Sequence, residues 1–484
     1  LILQGYFDMQ SKPASYDYDV IIVGSGPAGQ HAAWQAARMG KRSAIIERKP
    51  RIGGAGLQTG TIPSKAMREM AYLVSRSGQS GMRRALASDG RARHGILADA
   101  VRRKEAVIAQ QESVILQRLL KSGVALIPGE AAFEDAHTLQ VVDAGGNKNS
   151  LSAQVIVLAS GSRPRRPANI PFDKKTILDS TSILNVRHLP ESLLVVGGGV
   201  IGCEFVSIFA ALGVQVSVVD SHKQLLTYLS EDVVSVLADS FLAMGVEFHM
   251  QERVAEIRKE GEGVVTVLAS GKQIHTDAVL FAQGREPNSG GLQLQHAGIK
   301  VQDGWIEVNE DYQTSVPHIF AVGDLIGRPA LASTGMEQGR AAVLFAFGGA
   351  KHVTAENLPM AVYTIPEISY VGKTEAEIVA EKIPYVIGRA WFKDSARGQI
   401  IGDGQGMLKL VVDARDEKLL GVHIVGEQAS ELIHIGQLVM NLKGSVRDLV
   451  SNVFNYPTLA ECYKLAALDC VHLLEQKRAL AQNA

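Results

Sequence analysis

Apolar positions near the start of the chain come in two short bursts. The first, VIIV at 20–23, runs straight into the glycine-rich GSGPAG, and the second, at 43–47, ends on the acid Glu47. The order predicts strand, glycine turn, helix and strand. It returns at 192–223, SLLVVGGGVIGCEFVSIFAALGVQVSVVDSHK, where the second strand closes on Asp220. From the first glycine to the acid is 23 positions in both copies, 24 to 47 and 197 to 220. A repeat of this kind predicts two related domains.

Residues 96–122 repeat apolar side chains at helical spacing. Leu97, Val101, Ile108, Ile115 and Leu119 share one stripe, and Arg102, Arg103 and Lys104 on the other face are expected to be solvated. VIVLASGSRP at 155–164 and VLFAQGREPN at 279–288 read as strand-to-turn crossings on either side of the second copy. That copy is therefore expected to be inserted in the first, entering near Gly161 and leaving near Gly284. HIFAVGDLIG at 318–327 sets Asp324 after a strand and a glycine, positioned to hold polyol hydroxyls. Beyond about residue 350 alternating strands at 406–414 and 419–426 precede a helix at 429–444 and a C-terminal helix, an α+β module for which an interface role is expected. The fold class is α/β: two Rossmann-like domains, the second inserted in the first, and a C-terminal α+β domain. The expected boundaries are 9–161, 162–286, 287–350 and 351–484.

At 484 residues the chain exceeds what one core organises. Its 49 basic and 50 acidic residues balance, so no global field draws nucleic acid or an anionic membrane. The most apolar stretch, 193–214, is broken by glycines and Glu204, as a buried strand, turn and helix would be. Three cysteines suit a reducing cytoplasm, and no secretory signal pattern precedes the first strand. Residues 1–8, LILQGYFD, match nothing downstream, and Met9 offers a natural start. Cys462 and Cys470 stand about 12 Å apart along a helix, too far for a disulfide. No metal-ligand spacing occurs, and His423 and His434 are expected to be structural.

The glycines have separate duties. Gly24 permits a sharp turn, Gly26 lets backbone approach a pyrophosphate, and Gly29 allows the helix to pack on the strand. Pro27 and Ala28 open that helix, whose N-terminus attracts phosphate, while Glu47 accepts from ribose hydroxyls. Gly197, Gly199, Val200, Gly202 and Asp220 repeat the arrangement. One working site and one relic is the plainer alternative; intact acids in both copies argue against it.

GGAGLQTGTIPSK at 53–65, YTIPEISYVG at 363–372 and NYPTLAE at 455–461 extend the pattern. Over 18–474 the chain resembles the pyridine nucleotide–disulfide oxidoreductases, the family of lipoamide dehydrogenase and glutathione reductase. GTIPSK together with FNYPTLAE is most similar to the members that exchange hydride between nicotinamide nucleotides. The resemblance implies FAD on the first repeat, NAD(H) or NADP(H) on the second, and a homodimer built by the C-terminal domain. It adds Arg48, Gly54, Thr61, Lys65, Ser160, Gly161, Asp324, Leu331, Ala332 and Ser333 to the FAD site, and Glu204 and Gly284 to the nicotinamide site.

The departures from the family pattern matter most. Where dithiol reductases carry two cysteines, this chain has Gly56 and Thr61; where they carry a histidine before the proline of HPT, it has Tyr456, with Glu461 retained. Neither a sulfur relay nor thiol acid–base catalysis remains. The expectation is hydride exchange between NADH/NAD+ and NADPH/NADP+ through FAD, with Lys65, Glu204, Thr61, Tyr456 and Glu461 as the catalytic set and Lys65 and Glu204 paired to tune the transfer. Asp220 favours a free 2′-hydroxyl, and His222 and Lys223 partly offset a 2′-phosphate. Two alternatives remain open: a dehydrogenase passing electrons to a quinone or other acceptor, for which Gly56 makes room, and a non-catalytic flavin-bound sensor or structural subunit.

Overall fold

The computed structural model describes residues 16–77, 90–327, 329–349 and 357–482; Met9 and the unmatched segment before it lie outside them. The chain forms two compact units, one of Leu1–Ile62, Val107–Arg163 and Arg285–Val353, the other of Pro63–Ala106, Pro164–Gly284 and Thr354–Ala484. The second copy of the repeat is thus an insertion between two segments of the first unit.

The first unit is built on a seven-stranded sheet. Tyr18–Val23 pairs in parallel with Ser43–Glu47 on one side and Lys148–Leu158 on the other. Ala125–Pro128 extends one edge, and Ile319–Ala321 joins Lys148–Leu158. Both faces are covered, so the central strand is apolar at every turn of the pleat: Val20, Ile21 and Ile22 are all fully buried. Helix Pro27–Arg38 packs against helix Ala332–Ala346 through small residues. A Cβ on Gly339 would stand 2.1 Å from the Ala28 carbonyl oxygen, so the two backbones touch.

In the second unit a five-stranded parallel sheet orders Glu247–Met250, Gln215–Asp220, Ser192–Val196, Ala278–Phe281 and Ile177–Asp179. Helix Val200–Ala211 is buried from Gly202 to its end, which accounts for the apolar stretch at 193–214. No helix among the described residues is long and apolar enough to cross a membrane. A separate antiparallel sheet runs Met360–Val362, Glu367–Gly372, Leu419–Gly426, Met407–Asp413 and Tyr385–Trp391. Helices Ala429–Asn441 and Glu461–Gln482 bury apolar faces against it. The alternation at 406–414 and 419–426 located two of its three interior strands.

The helix expected at 96–122 spans Gly90–Lys121, and Leu97, Ile108 and Leu119 are buried as its stripe requires. Lys104 corrects the expectation of a solvated face. Its side chain is buried, and its ammonium donates to the Leu184 carbonyl at 2.8 Å and to Asn185 Oδ1 at 3.2 Å. The short turn Ile183–Asn185 presents acceptors there, and the apolar lysine stem packs while the tip bonds. All three cysteines are buried free thiols; burial pushes Cys462 up to about 11 and Cys470 up to about 12.

Periodicity gave no sign of a charged ladder across the antiparallel sheet. Arg389, Lys409, His423 and Tyr370 stand in register on adjacent strands. Lys409 is fully buried and donates to Ser230 Oγ, to both oxygens of Asp232 and to Glu375. His423, also fully buried, sits 3.1 Å from the Lys373 carbonyl through Nε2. Burial, then the Lys409 charge, pulls its pKa down to about 4. An unfolded chain takes up that proton near pH 6.5. Stability is therefore full above about pH 6.5 and is lost as pH falls from there toward 4, by on the order of 1 kcal/mol per pH unit. Thermal unfolding at pH 7 and pH 5 checks this. The loss in Tm is expected to shrink in His423→Gln, which keeps a donor for the Lys373 carbonyl and does not titrate.

Candidate active site

The two glycine turns are built alike. Gly24 and Gly197 adopt φ of +107° and +112°, the left-handed region. A Cβ on Gly29 would stand 2.0 Å from the Gly24 carbonyl oxygen, and one on Gly202 1.8 Å from that of Gly197. Helix Pro27–Arg38 follows Gly26, with Pro27 first and Ala28 second; helix Val200–Ala211 follows Gly199. Neither has a side-chain cap, so first-turn N–H groups remain for an anion. In the first unit Gly54 crowds against Gly26: a Cβ there would approach the Gly26 Cα to 2.6 Å. Two bare backbones form that wall.

Both acids are engaged by their own turns. Glu47 Oε2 accepts from the Ser25 N–H at 3.0 Å and the Ser25 hydroxyl at 2.6 Å. Ser25, which the sequence reading passed over, is fully buried and its Oγ also accepts from the Gly53 N–H at 3.0 Å. The signal was a hydroxyl at the middle position of G-x-G. Asp220 accepts from the Gly198 N–H at 2.6 Å through Oδ2 and from the His222 N–H at 2.9 Å through Oδ1. Burial opposes its ionisation, but these bonds, with the His222 ring, hold the carboxyl below its ordinary range.

Asp324 accepts from the Ser162 hydroxyl at 2.6 Å, with Arg285 3.7 Å away. The Gly161 carbonyl takes the Asn288 N–H at 2.9 Å, and the Ser160 hydroxyl donates to the Asn288 carbonyl at 3.0 Å. Leu331 stands just before helix Ala332–Ala346, whose first turn holds Ala332 and Ser333. Arg48 is exposed and pairs with Glu130 at 3.5 Å. Gly284, in the second unit, has φ of +89°, and its carbonyl accepts from the Arg165 N–H at 3.2 Å.

Gly56 lies in the short helix Gly54–Gln58, and Thr61 opens helix Thr61–Ser77 with its side chain exposed. The idea that Gly56 makes room for an acceptor is corrected by its neighbour. A Cβ there would lie 2.8 Å from Pro27 Cγ, so the proline ring fills that space.

Four residues beyond Thr61, Lys65 meets Glu204, its ammonium 2.8 Å from both carboxylate oxygens. The Glu204 side chain is 7% exposed and that of Lys65 25%. Glu204 Oε1 also accepts from the Tyr363 N–H at 3.0 Å, and the Lys65 ammonium lies 4.8 Å from the Tyr363 ring centroid. Buried Arg68 donates to the Thr364 carbonyl at 3.2 Å and pairs with Glu367 at 3.3 Å. It therefore anchors the segment that carries Tyr363. Neither Tyr363 nor Arg68 was singled out from sequence, though Tyr363 opens one of the stretches that carried the resemblance and Arg68 lies three residues past the end of another. Tyr456 is 74% exposed, and Glu461 opens the last helix. Among the described residues no hydrogen bond or ion pair joins either of them to Lys65 or Glu204.

Comparison with known proteins agrees with this geometry. The sequence profile described as pyridine nucleotide-disulphide oxidoreductase matches residues 18–339, and that of the family's dimerisation domain matches 358–467. A soluble pyridine nucleotide transhydrogenase of Mycobacterium bovis (strain BCG / Pasteur 1173P2) is 45% identical over 96% of this chain and 99% of its own length. One of Pseudomonas putida (strain W619) is 41% identical over 95% of this chain and 100% of its own length. The crystal structure of LpdA from Mycobacterium tuberculosis superposes with a TM-score of 0.85 at 28% identity, covering 93% of this chain and 98% of that one. The HOCl-induced flavoprotein disulfide reductase RclA of Escherichia coli gives 0.84 at 26% identity, over 93% and 99%. With its two Rossmann-like domains and C-terminal dimerisation domain, the chain belongs to the pyridine nucleotide-disulphide oxidoreductase family.

Proposed function

We propose that this chain is an FAD-dependent transhydrogenase that moves hydride between NADH/NAD+ and NADPH/NADP+ without a redox disulfide. One observation carries the reading. The Lys65–Glu204 pair is assembled at 2.8 Å, while positions 56 and 61 hold glycine and threonine. The names of the mycobacterial and pseudomonad relatives support it.

The residues of the first unit fit FAD. Gly26 and Gly54 leave a wall without side chains, the uncapped helix start faces an anion, and Glu47 and Asp324 are the acids for ribose and ribityl hydroxyls. When bound, FAD supplies hydride acceptance and return at N5. The chain's own residues do the rest. The turn of Gly197, Gly199 and Gly202 binds each nicotinamide nucleotide in succession. Glu204 and the Tyr363 ring hold Lys65 still, so that its fixed positive charge favours the transfer without reorganisation. No substrate proton moves with the hydride, so the absence of a histidine at 456 costs nothing. Thr61 fills the second sulfur's place, and Tyr456 and Glu461 move no proton in the transfer.

We assign 9–161 and 287–350 to FAD, 162–286 to the nicotinamide nucleotides and 351–484 to self-association as a homodimer. Exposed Leu438, Leu442, Val453 and Leu468 support the last. Buried thiols suit a cytoplasmic setting. The quinone alternative loses its argument from Gly56, since Pro27 fills the space; the sensor alternative has to explain why both cradles and the ion pair are intact. Steady-state turnover with NADPH as donor and thio-NAD+ as acceptor tests the reading. Parallel double-reciprocal lines, the ping-pong pattern, are expected; no turnover would overturn it.

A further inference from the structure

The Asp220 carboxylate is masked before any nucleotide reaches it. Besides the two backbone N–H groups, its Oδ1 lies 2.6 Å from Nδ1 of the His222 ring. An ionised carboxylate has no proton to give, so Nδ1 is the donor and the tautomer is fixed. Nε2 is then the variable nitrogen, a lone pair on the neutral ring and an N–H on the charged one. The His222 side chain is 62% exposed, open to a ligand. A bare aspartate at this strand end accepts from a ribose 2′-hydroxyl and repels a 2′-phosphate.

We propose that His222 reads the 2′ position of the adenine ribose. Its neutral ring accepts from the 2′-hydroxyl of NAD(H), and its charged ring donates to the 2′-phosphate of NADP(H). One turn thereby serves both nucleotides, and acid pH shifts it toward NADP(H). The inference rests on the transhydrogenase reading, in which both nucleotides must use this turn.

Asp220 touches the His222 ring, and Lys223 is next along the chain. On the neighbouring strand Glu247–Met250 and its continuation stand Glu247, His249 and Glu252, with Lys272 3.5 Å from His249. The Glu252 N–H holds the Asp220 carbonyl, and the Gln251 N–H holds that of His222, which fixes the backbone under the ring.

Calorimetric titration of the holoenzyme with 5′-ADP and 2′,5′-ADP at pH 8 and pH 6 isolates the 2′ subsite. The 2′-phosphate itself gains a proton near pH 6, so His222→Arg, charged at both pH values, is the reference. Between pH 8 and 6 the unaltered protein is expected to gain about tenfold in preference for 2′,5′-ADP over 5′-ADP relative to that reference. At pH 6 His222→Asn is expected to bind 2′,5′-ADP about tenfold more weakly, with 5′-ADP changed less than about twofold. Parallel pH behaviour of the unaltered protein and His222→Arg would overturn the proposal. So would undiminished binding of 2′,5′-ADP to His222→Asn. Failure of 5′-ADP to bind the unaltered protein would instead overturn the dinucleotide reading of the turn, and the proposal with it.

Discussion

Lys65→Met is expected to slow reduction of the bound flavin by NADH at least about 100-fold, the scale of losing one preorganised electrostatic partner. Methionine keeps most of the lysine volume, so packing changes little; what disappears is the charge facing Glu204. That carboxylate is 7% exposed and is left with the Tyr363 N–H at 3.0 Å as its remaining bond. A buried unpaired carboxylate destabilises its surroundings, so the variant alone confounds catalysis with folding. Lys65→Met combined with Glu204→Gln removes that penalty. Thermal stability is expected to recover in the double variant and flavin reduction to stay slow. Lys65→Arg, which keeps a charge, is expected to lose less than the methionine variant. Stopped-flow bleaching of the flavin band measures all three, and an unchanged rate in Lys65→Met rejects the role.

Gly202→Ala is expected to weaken reduction by NADH strongly while leaving FAD bound. The added Cβ meets the Gly197 carbonyl oxygen at 1.8 Å, a backbone atom that cannot rotate away. Helix Val200–Ala211 must retreat from strand Ser192–Val196, which costs about 1–3 kcal/mol of stability and displaces the helix start that binds pyrophosphate. NADH affinity is expected to fall at least about tenfold. Gly29→Ala makes the matching insult in the first repeat, 2.0 Å from the Gly24 carbonyl, and is expected to yield protein depleted of FAD. The two variants separate the cradles. The flavin-to-protein absorbance ratio and an NADH titration of flavin fluorescence read them. Loss of FAD from Gly202→Ala, or NADH binding unimpaired in it, would contradict the assignment.

The frame was legible because its signals are local. A glycine turn needs particular residues at particular positions, and a strand buried on both faces must be apolar throughout, as Val20, Ile21 and Ile22 are. What stayed hidden depends on partners distant in sequence. Lys104 read as surface because a lysine is usually solvated; the carbonyl of Leu184 and Asn185 Oδ1, about 80 positions away, explain its burial. Lys409 lies in an alternating strand, and the acids that neutralise it are 177 and 34 positions away. The same holds at the site. Lys65 and Glu204 were expected to pair, but Tyr363, 159 positions beyond Glu204, completes the arrangement through a backbone N–H that no side-chain pattern reveals. Gly56 shows the opposite error. A missing side chain suggested room, whereas a nearby proline ring occupies it.

Electrons are expected to pass between nicotinamide nucleotides with no sulfur in the relay. Anaerobic reduction of the holoenzyme with one equivalent of NADH, followed by rapid mixing with NADP+, tests it most directly. NADP+ is expected to restore the flavin absorbance within the turnover time, with NADPH formed in equal amount. Oxidised lipoamide and oxidised glutathione are predicted to leave the bleached protein unchanged; rapid reoxidation by either disulfide, or indifference to NADP+, would contradict it.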